Sequence, residues 1–558
     1  MNGPARGVDV AVVGPDDGVT ATIARRLRAE NRSVPAILVY RPSFAGPRSA
    51  RPDLAEAESL LRGCVAQNGT ARPSRVILLS STRVHPPDHH NPGYLPESHR
   101  PRHPHPVSRA WRDLEFLAGS LLGEAGIELL ILRPAPVLAP DLTPEGADPF
   151  SWLLAGRSAA VPAGYDPALQ LLDPEDLAAA VACAVESGQG HRGPYHVVPA
   201  GAVPVRGMLR LAGARRWPVP AGPTGQGESL RDWLRHSWTA SGRAIERDLG
   251  FVPRHTSARA VLNAFGTATR EASPEYDAYG QDLHYIRAYG RTLFRFLHDV
   301  YWRVEHEGLE NVPREGRAVL TGVHRGLMPW DGVMALHLLG RELGRHPRFL
   351  IHPCLVKLPF LTNYMTKLGG MLACQENADW VLGRGEILGM YPEGIQGAFT
   401  RYRDAYHIGK LGRDEFVRMA LRNRAPIVPF VTVGSAEIYP ILARLDWGWW
   451  KRRSEWPCFP VGPNFPLPGL PLPSKWHTRF LAPLPVQDLY PPEAAEDPNV
   501  VRTISAEVRH RMEEAIGEML ARRKSIFFGS VFPTRGPGEP GLVRVEGESP
   551  ERRMHAAD

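Results

Sequence analysis

The stretch GLENVPREGRAVLTGVHRGLMPWDGVMAL, residues 308–336, decides how this chain is read. Its middle, RAVLTGV, is a short apolar run of strand length, and Gly326 punctuates the turn after it. From Trp330 onward the apolar residues recur at helical spacing. Strand, turn and helix in succession are the unit of an α/β sheet. The turn carries His324, and Asp331 opens the helix. An imidazole that takes a proton and a carboxylate that fixes its tautomer are what a weak alcohol nucleophile needs from a catalyst. The two are seven positions apart. On one continuous helix that spacing would span about 10 Å. His324 must therefore sit in the turn, with the chain folding Asp331 back toward it.

Further blocks follow downstream. LGGMLACQENADWVL (368–382) holds Gly370 and Gln375, and GRGEILGMYPEGIQGAF (383–399) runs a short strand into Tyr391-Pro392-Glu393-Gly394. APIVPFVTVGSAEIYP (425–440) is another strand, opened at Pro426; LPLPSKWHTRFLAPLPV (470–486) and RRKSIFFGS (522–530) come later. In this order the blocks resemble the phospholipid/glycerol acyltransferase superfamily of the lysophosphatidic-acid-acyltransferase type, over about 284–530. The resemblance implies an α/β glycerolipid-acyltransferase domain with His324 as general base and Asp331 as its orienting partner. It further implies a substrate-binding set of Arg325, Gly370, Gln375, Pro392, Glu393, Gly394 and Pro426. Two positions depart from the family. The usual acid lies five residues after the histidine, where this chain has Pro329. Gln375 stands where an arginine often grips an acceptor phosphate, which favours a neutral acceptor over a phosphorylated one. Arg325, Lys357, Lys367 and Lys410 are the cations left for a phosphate or for coenzyme A.

Upstream, VDVAVV (8–13) enters Gly14-Pro15-Asp16-Asp17-Gly18, a helical segment follows, and AILVY ends at Tyr40. Strands RVILLSS (75–81), ELLILRP (128–134) and PYHVV (194–198) alternate with helices near 108–124 and 174–186. With LQLLDPEDLAAAVACAVE (169–186) and RDLGFVPRHTSARAVLNAF (247–265), this half resembles the extended short-chain dehydrogenase/reductase family of the epimerase/dehydratase type. The resemblance implies a Rossmann-like, doubly wound parallel sheet over 7–268, with Gly14, Gly18, Arg41 and Ser81 as cofactor-binding positions. The glycine spacing departs from the family turn, and Asp16 and Asp17 put negative charge where phosphates would sit. Arg41 after the second strand favours NADP over NAD. Val107 and Trp111 occupy the positions of the family's catalytic Tyr and Lys, and neither can pass a proton. NAD(P) is thus an open cofactor here, and hydride chemistry is not expected.

The 558 residues suit two large domains: 7–268, a linker at 269–283, an acyltransferase domain at 284–535 and a disordered tail at 536–558. The net charge of +7 is mild for this length and suits an anionic surface, not nucleic acid. The five cysteines form no CxxC pair or zinc spacing, so no metal is expected. The first residues lack an apolar signal region, and no apolar run reaches the roughly 18 residues of a spanning helix. RLDWGWWKRRSEW (444–456) sets four tryptophans among basic residues, a pattern suited to lipid headgroups. An amphipathic helix over 284–304, with Ile286, Tyr289, Leu293, Phe296, Leu297 and Val300 on one side, is a second membrane candidate. Residues 446–473 read as largely loop and 498–524 as a charged helix.

These readings converge on a cytoplasmic enzyme associated peripherally with the inner face of the membrane. It takes acyl-CoA or acyl carrier protein as donor and a lipid hydroxyl as acceptor; acyl transfer needs no cofactor, and the oligomeric state is open. The alternative is an NAD(P)-dependent oxidoreductase or a nucleotide-sensing protein with an inactive acyltransferase domain.

Overall fold

The computed structural model describes residues 10–533 apart from 28–36, 68–71, 157, 188–189, 192, 221–229, 267–278, 353–354, 356–359, 410, 412–413, 455 and 464–470. Most of the expected linker, the expected tail, Lys357 and Lys410 lie outside the described residues.

In the N-terminal half the apolar runs are β1 (Val10–Val13), β2 (Ile37–Tyr40), β3 (Arg75–Leu79), β4 (Glu128–Pro134) and β5 (Tyr195–Val197). They lie side by side in that order, all parallel. Alternate residues on a strand point to opposite faces. Leu38, Tyr40, Val76 and Leu78 pack on α2 (Leu54–Ala66) and α3 (Pro106–Glu124). Val39, Ile77, Leu79 and Leu130 pack on α1 (Gly18–Leu27) and α4 (Pro174–Glu186). Cover on both faces is why these strands read as continuous apolar runs. α1 and α2 follow neighbouring strands but lie on opposite faces, so the loops after β1 and β2 diverge. Such a divergence opens the crevice where ligands bind in sheets of this kind.

The C-terminal half is built on a seven-stranded sheet. In chain order its strands are β6 (Glu305–Glu307), β7 (Ala318–Gly322), β8 (Arg348–Ile351), β9 (Met371–Leu372), β10 (Ile387–Met390), β11 (Ile427–Val433) and β12 (His477–Phe480). The spatial order is β6-β12-β11-β7-β10-β8-β9, with β7 central and parallel to both neighbours, and β12 antiparallel to β11. One face, carrying Val319, Leu388, Ile427 and Val431, packs on helices Gln375–Gly383, Glu415–Arg422 and Pro498–Arg522. The other, with Ala318, Leu320, Val428 and Phe430, packs on the helix Trp330–Glu342.

One expectation changes and another is filled in. The single helix over 284–304 is broken: Leu283–Arg291 stops at Thr292, whose ψ is −96°, and the chain resumes as Leu293–Arg295 and a π-turn Phe296–Tyr301. The break rotates the apolar side. Ile286, Phe294 and Leu297 are buried, whereas Leu293, Phe296 and Val300 are left exposed. Within the stretch expected to be largely loop, 446–473, a hairpin forms: Ala443–Leu445 pairs antiparallel with Phe459–Val461 around a short helix, Gly448–Ser454. Among the described residues no helix is long and apolar enough to cross a membrane.

The halves meet through polar contacts. Ser241 donates to Glu376 at 3.0 Å, Arg243 pairs with Asp379, and Arg206 donates to Asn363 at 2.9 Å. The Tyr94 and Tyr279 hydroxyls are 2.8 Å apart.

Candidate active site

β7 is buried along its length and ends at Gly322, delivering His324 to a turn above the middle of the sheet. Gly326 and Leu327 both take positive φ, 81° and 58°, and this reversal folds the next helix back. Asp331 in its first turn then reaches His324: Nδ1 to Oδ2 is 2.7 Å. The same oxygen accepts from the Arg325 amide at 3.1 Å, and Oδ1 accepts from the Gly332 amide at 2.8 Å. The Asp331 side chain is fully buried and that of His324 only slightly exposed. Three donors thus fix the carboxylate, and it holds Nδ1. The imidazole's Nε2 is left for a substrate proton, and its tautomer is set by the partner.

His324 forms part of the wall of a cavity of about 270 Å³. The rest of the wall is largely apolar and includes Val333, Leu336, Phe349, Met365, Phe399 and Trp456. Tyr391, at the carboxyl end of β10, stacks on Phe349 and stands 5.1 Å from the His324 ring, centroid to centroid. Burial pushes its phenol far above the ordinary range, with Asp331 adding to the effect. Sequence reasoning quoted Tyr391 without giving it a place in the site; an aromatic beside a Pro-Glu-Gly turn carries no signal of which histidine it will face.

The substrate-binding set divides. Gly370 and Gly394 line the cavity with His324. Pro392 is buried beneath the turn, and Gly394 takes φ 56° there. Glu393 lies close by, but its carboxylate is taken by Arg325, Nη2 to Oε1 at 3.1 Å and Nη1 to Oε2 at 2.5 Å. Arg325 also donates to the carbonyls of His324 (2.7 Å), His407 (3.0 Å) and Ala405. All five guanidinium N–H groups are used and the side chain is buried. Arg325 is therefore a tie between the His324 turn and the Glu393 turn, and not a spare cation for a phosphate. Gln375 is a correction: its amide donates to Asp379 at 2.6 Å and accepts from Arg422 at 3.2 Å, and it is absent from the cavity wall. Pro426 is another. It precedes β11, which runs parallel to β7, so it stands at the amino end of the sheet while His324 stands at the carboxyl end. Lys367 lies against the Tyr285 ring at 4.7 Å, also off the cavity wall.

In the N-terminal half the crevice between β1 and β2 contains the chain's own carboxylates. The Gly18 amide, at the start of α1, donates to Asp141 Oδ2 at 2.5 Å, and the Thr20 amide to Asp17 Oδ1 at 2.8 Å. Arg41 pairs with Asp17 at 2.5 Å and donates to the Gly146 carbonyl at 2.7 Å. A Cβ on Gly14 would meet the Arg41 carbonyl at 2.9 Å, so that glycine serves the close approach of two chain segments. The Ser81 hydroxyl accepts from the Arg83 amide at 3.2 Å. Val107 and Trp111 are buried in the core, and the Trp111 indole donates to the Ala50 carbonyl at 2.8 Å. A pyrophosphate needs the first amides of α1, and these already bind carboxylates. These residues do not fit a dinucleotide, although the fold would seat one.

The family model described as Acyltransferase matches residues 303–433, which hold the His324–Asp331 pair and the Tyr391-Pro392-Glu393-Gly394 turn. An uncharacterized protein of Mycobacterium tuberculosis is 36% identical over 299 residues, spanning 52% of this chain and 80% of that one. The chain belongs to the acyltransferase family. Phytyl ester synthase 2 of Arabidopsis thaliana is 32% identical to it over 141 residues, 24% of this chain and 20% of the plant protein. Among solved structures, MoeE5 in complex with UDP-glucuronic acid and NAD is similar over 46% of this chain and 97% of its own, at 18% identity and a TM-score of 0.37.

As an acyltransferase, the enzyme has a His–Asp hydrogen bond beside an apolar cavity at the carboxyl end of the central strand.

Proposed function

We propose that the chain is a membrane-surface O-acyltransferase that moves a fatty acyl group from acyl-CoA or acyl carrier protein to a lipid hydroxyl. The observation that carries this reading is the His324–Asp331 pair on the wall of the apolar cavity. The acceptor O–H gives its proton to His324 Nε2 as its oxygen attacks the thioester carbonyl. Imidazolium forms and is stabilised by Asp331. The C–S bond then breaks, and the proton passes from Nε2 to the departing thiolate. The apolar wall holds the acyl chain, each buried methylene contributing about 0.8 kcal/mol.

Several features support a lipid surface. Trp456 lines the cavity and stands 5.8 Å, ring to ring, from Trp450 in the adjoining hairpin. From the same hairpin Trp447 and Trp449 are 50% and 65% exposed, with Leu442 and Leu445 beside them. Phe527 and Phe528 are exposed on a segment that Arg303 holds through the Phe527 carbonyl. Indoles and aromatic rings of this kind suit the headgroup layer. A neutral long-chain acceptor is favoured over a phosphorylated one, because Arg325 is spent on Glu393 and Gln375 faces away. The name of the plant relative, a phytyl ester synthase, is consistent with a long-chain alcohol acceptor. We further propose that the N-terminal half binds no NAD(P), since Asp141 and Asp17 hold the amides a pyrophosphate would need.

The test supplies purified protein with labelled acyl-CoA and vesicles carrying, in turn, a long-chain alcohol, diacylglycerol or lysophosphatidate. Labelled ester on a neutral acceptor is expected. Preferential labelling of lysophosphatidate would overturn the acceptor assignment, and no transfer to any hydroxyl would overturn the reaction.

A further inference from the structure

Three consecutive residues of the N-terminal half, Asp88, His89 and His90, turn their side chains to one point. One ligand-competent atom from each lies within 4.8 Å of the others. Asp88 Oδ1 is 2.9 Å from His90 Nδ1 and 3.5 Å from His89 Nδ1, and the two imidazole centroids are 3.8 Å apart. A third imidazole comes from far along the chain. The His236 ring is 5.6 Å from that of His89, and its Nδ1 is buried with no hydrogen-bond partner. The sequence reading missed this group because it looked for spaced Cys and His pairs, and here the ligands are adjacent in one turn and completed from a distant segment.

The two segments are fastened together. Asn91 Nδ2 donates to the carbonyls of Pro86 at 2.9 Å and Ser237 at 3.1 Å. The Leu95 amide donates to the Thr239 carbonyl at 2.8 Å, and the Thr239 hydroxyl to the Gly93 carbonyl at 2.5 Å. The loop bearing Asp88 and His89 therefore cannot drift from the segment bearing His236.

We propose that Asp88, His89 and His90, with His236 as a fourth ligand, form a binding site for a divalent transition-metal ion of the zinc class. Imidazole-rich sets with one carboxylate suit such ions, whereas calcium and magnesium prefer all-oxygen sets. Zinc–ligand bonds of about 2.0–2.1 Å put tetrahedral ligand atoms roughly 3.4 Å apart. The Asp88 Oδ1 separations from His90 Nδ1, 2.9 Å, and from His89 Nδ1, 3.5 Å, lie close to that spacing. The site borders a cavity of about 70 Å³ at the seam of the halves, lined by Asp88, His89 and His236 on one side and by Thr362, Thr366 and Met371 on the other. Arg235 also lines it, its guanidinium held over the Tyr165 ring at 5.8 Å. Metal there would stiffen the surface on which the acyltransferase half is seated.

The test uses the untagged full chain, stripped of metal by chelation and dialysis and titrated with Co²⁺. Visible absorption reports inner-sphere coordination, and calorimetry with Zn²⁺ reports stoichiometry. One equivalent should bind, with tenfold or greater weakening in His89→Ala and in His90→Ala and none in the remote His510→Ala. Asp88→Asn, nearly isosteric, should also weaken binding while keeping the wild-type circular dichroism spectrum. Absence of stoichiometric binding by the wild-type chain, or equal binding by the folded Asp88→Asn and His89→Ala proteins, would overturn the proposal.

Discussion

Replacing Arg325 by methionine separates a tie between two turns from a grip on substrate. The guanidinium and the Glu393 carboxylate are both nearly inaccessible, bonded at 3.1 and 2.5 Å, with three further carbonyls bound by the same side chain. Methionine fills most of the volume but leaves the Glu393 charge buried and three carbonyls without their donor. Removing one partner of a buried pair costs about 3–5 kcal/mol. For a unit of 150–250 residues that corresponds to roughly 10 °C in the unfolding midpoint. The assay is urea unfolding followed by tryptophan fluorescence, run with Glu393→Gln and with the pair Arg325→Met/Glu393→Met. The double variant should recover part of the loss, because it leaves no unpaired charge. Turnover should fall about 100-fold in the single variants, since displacing His324 by about 1 Å is enough for that. An Arg325→Met protein with wild-type stability and only a raised KM would refute this reasoning and make Arg325 a substrate cation.

Three further outcomes follow. Asp331→Asn keeps the shape of the side chain but offers an N–H to His324 Nδ1, which drives the proton to Nε2; kcat should fall about 10⁴-fold, the scale set by the same change in serine proteases, and a loss under tenfold in steady-state transfer would contradict it. Leu336→Phe narrows the apolar cavity, so the preferred acyl chain should shorten, each excluded methylene costing about 0.8 kcal/mol or fourfold in kcat/KM; an unchanged chain-length profile would remove Leu336 from the acyl path. Burial depresses His477 and His337 to about 4 and His196 to about 3. These groups resist protonation when folded but accept it when unfolded, so stability is full above about pH 6.5 and falls as pH drops toward 4, by on the order of 1 kcal/mol each per unit; unfolding free energies that hold steady between pH 7 and 5 would exclude this.

Much of the architecture could be read from pattern. Strands buried on both faces appear as apolar runs, and the approach of Asp331 to His324 is legible once the odd spacing is referred to a turn. What the pattern left out is three-dimensional. Pro426 belongs to a block that follows the site in sequence, yet the parallel pairing of β11 with β7 sends it to the opposite end of the sheet. Gln375 begins a helix whose own Asp379 takes its amide. The break at Thr292 leaves no mark in the spacing of the apolar residues, and the expected face moved with it. Asp141 is 123 residues from the Gly18 amide it occupies, a distance at which no local motif speaks.

The measurement that bears most directly on the central claim is single-turnover acyl transfer from labelled acyl-CoA to a vesicle-borne alcohol, comparing the wild-type chain with His324→Gln. The account predicts a burst of labelled ester from the wild type and a rate at least 1,000-fold lower from the variant (about 4 kcal/mol), with the unfolding midpoint unchanged. Ester formation by a folded His324→Gln protein at the wild-type rate would contradict it.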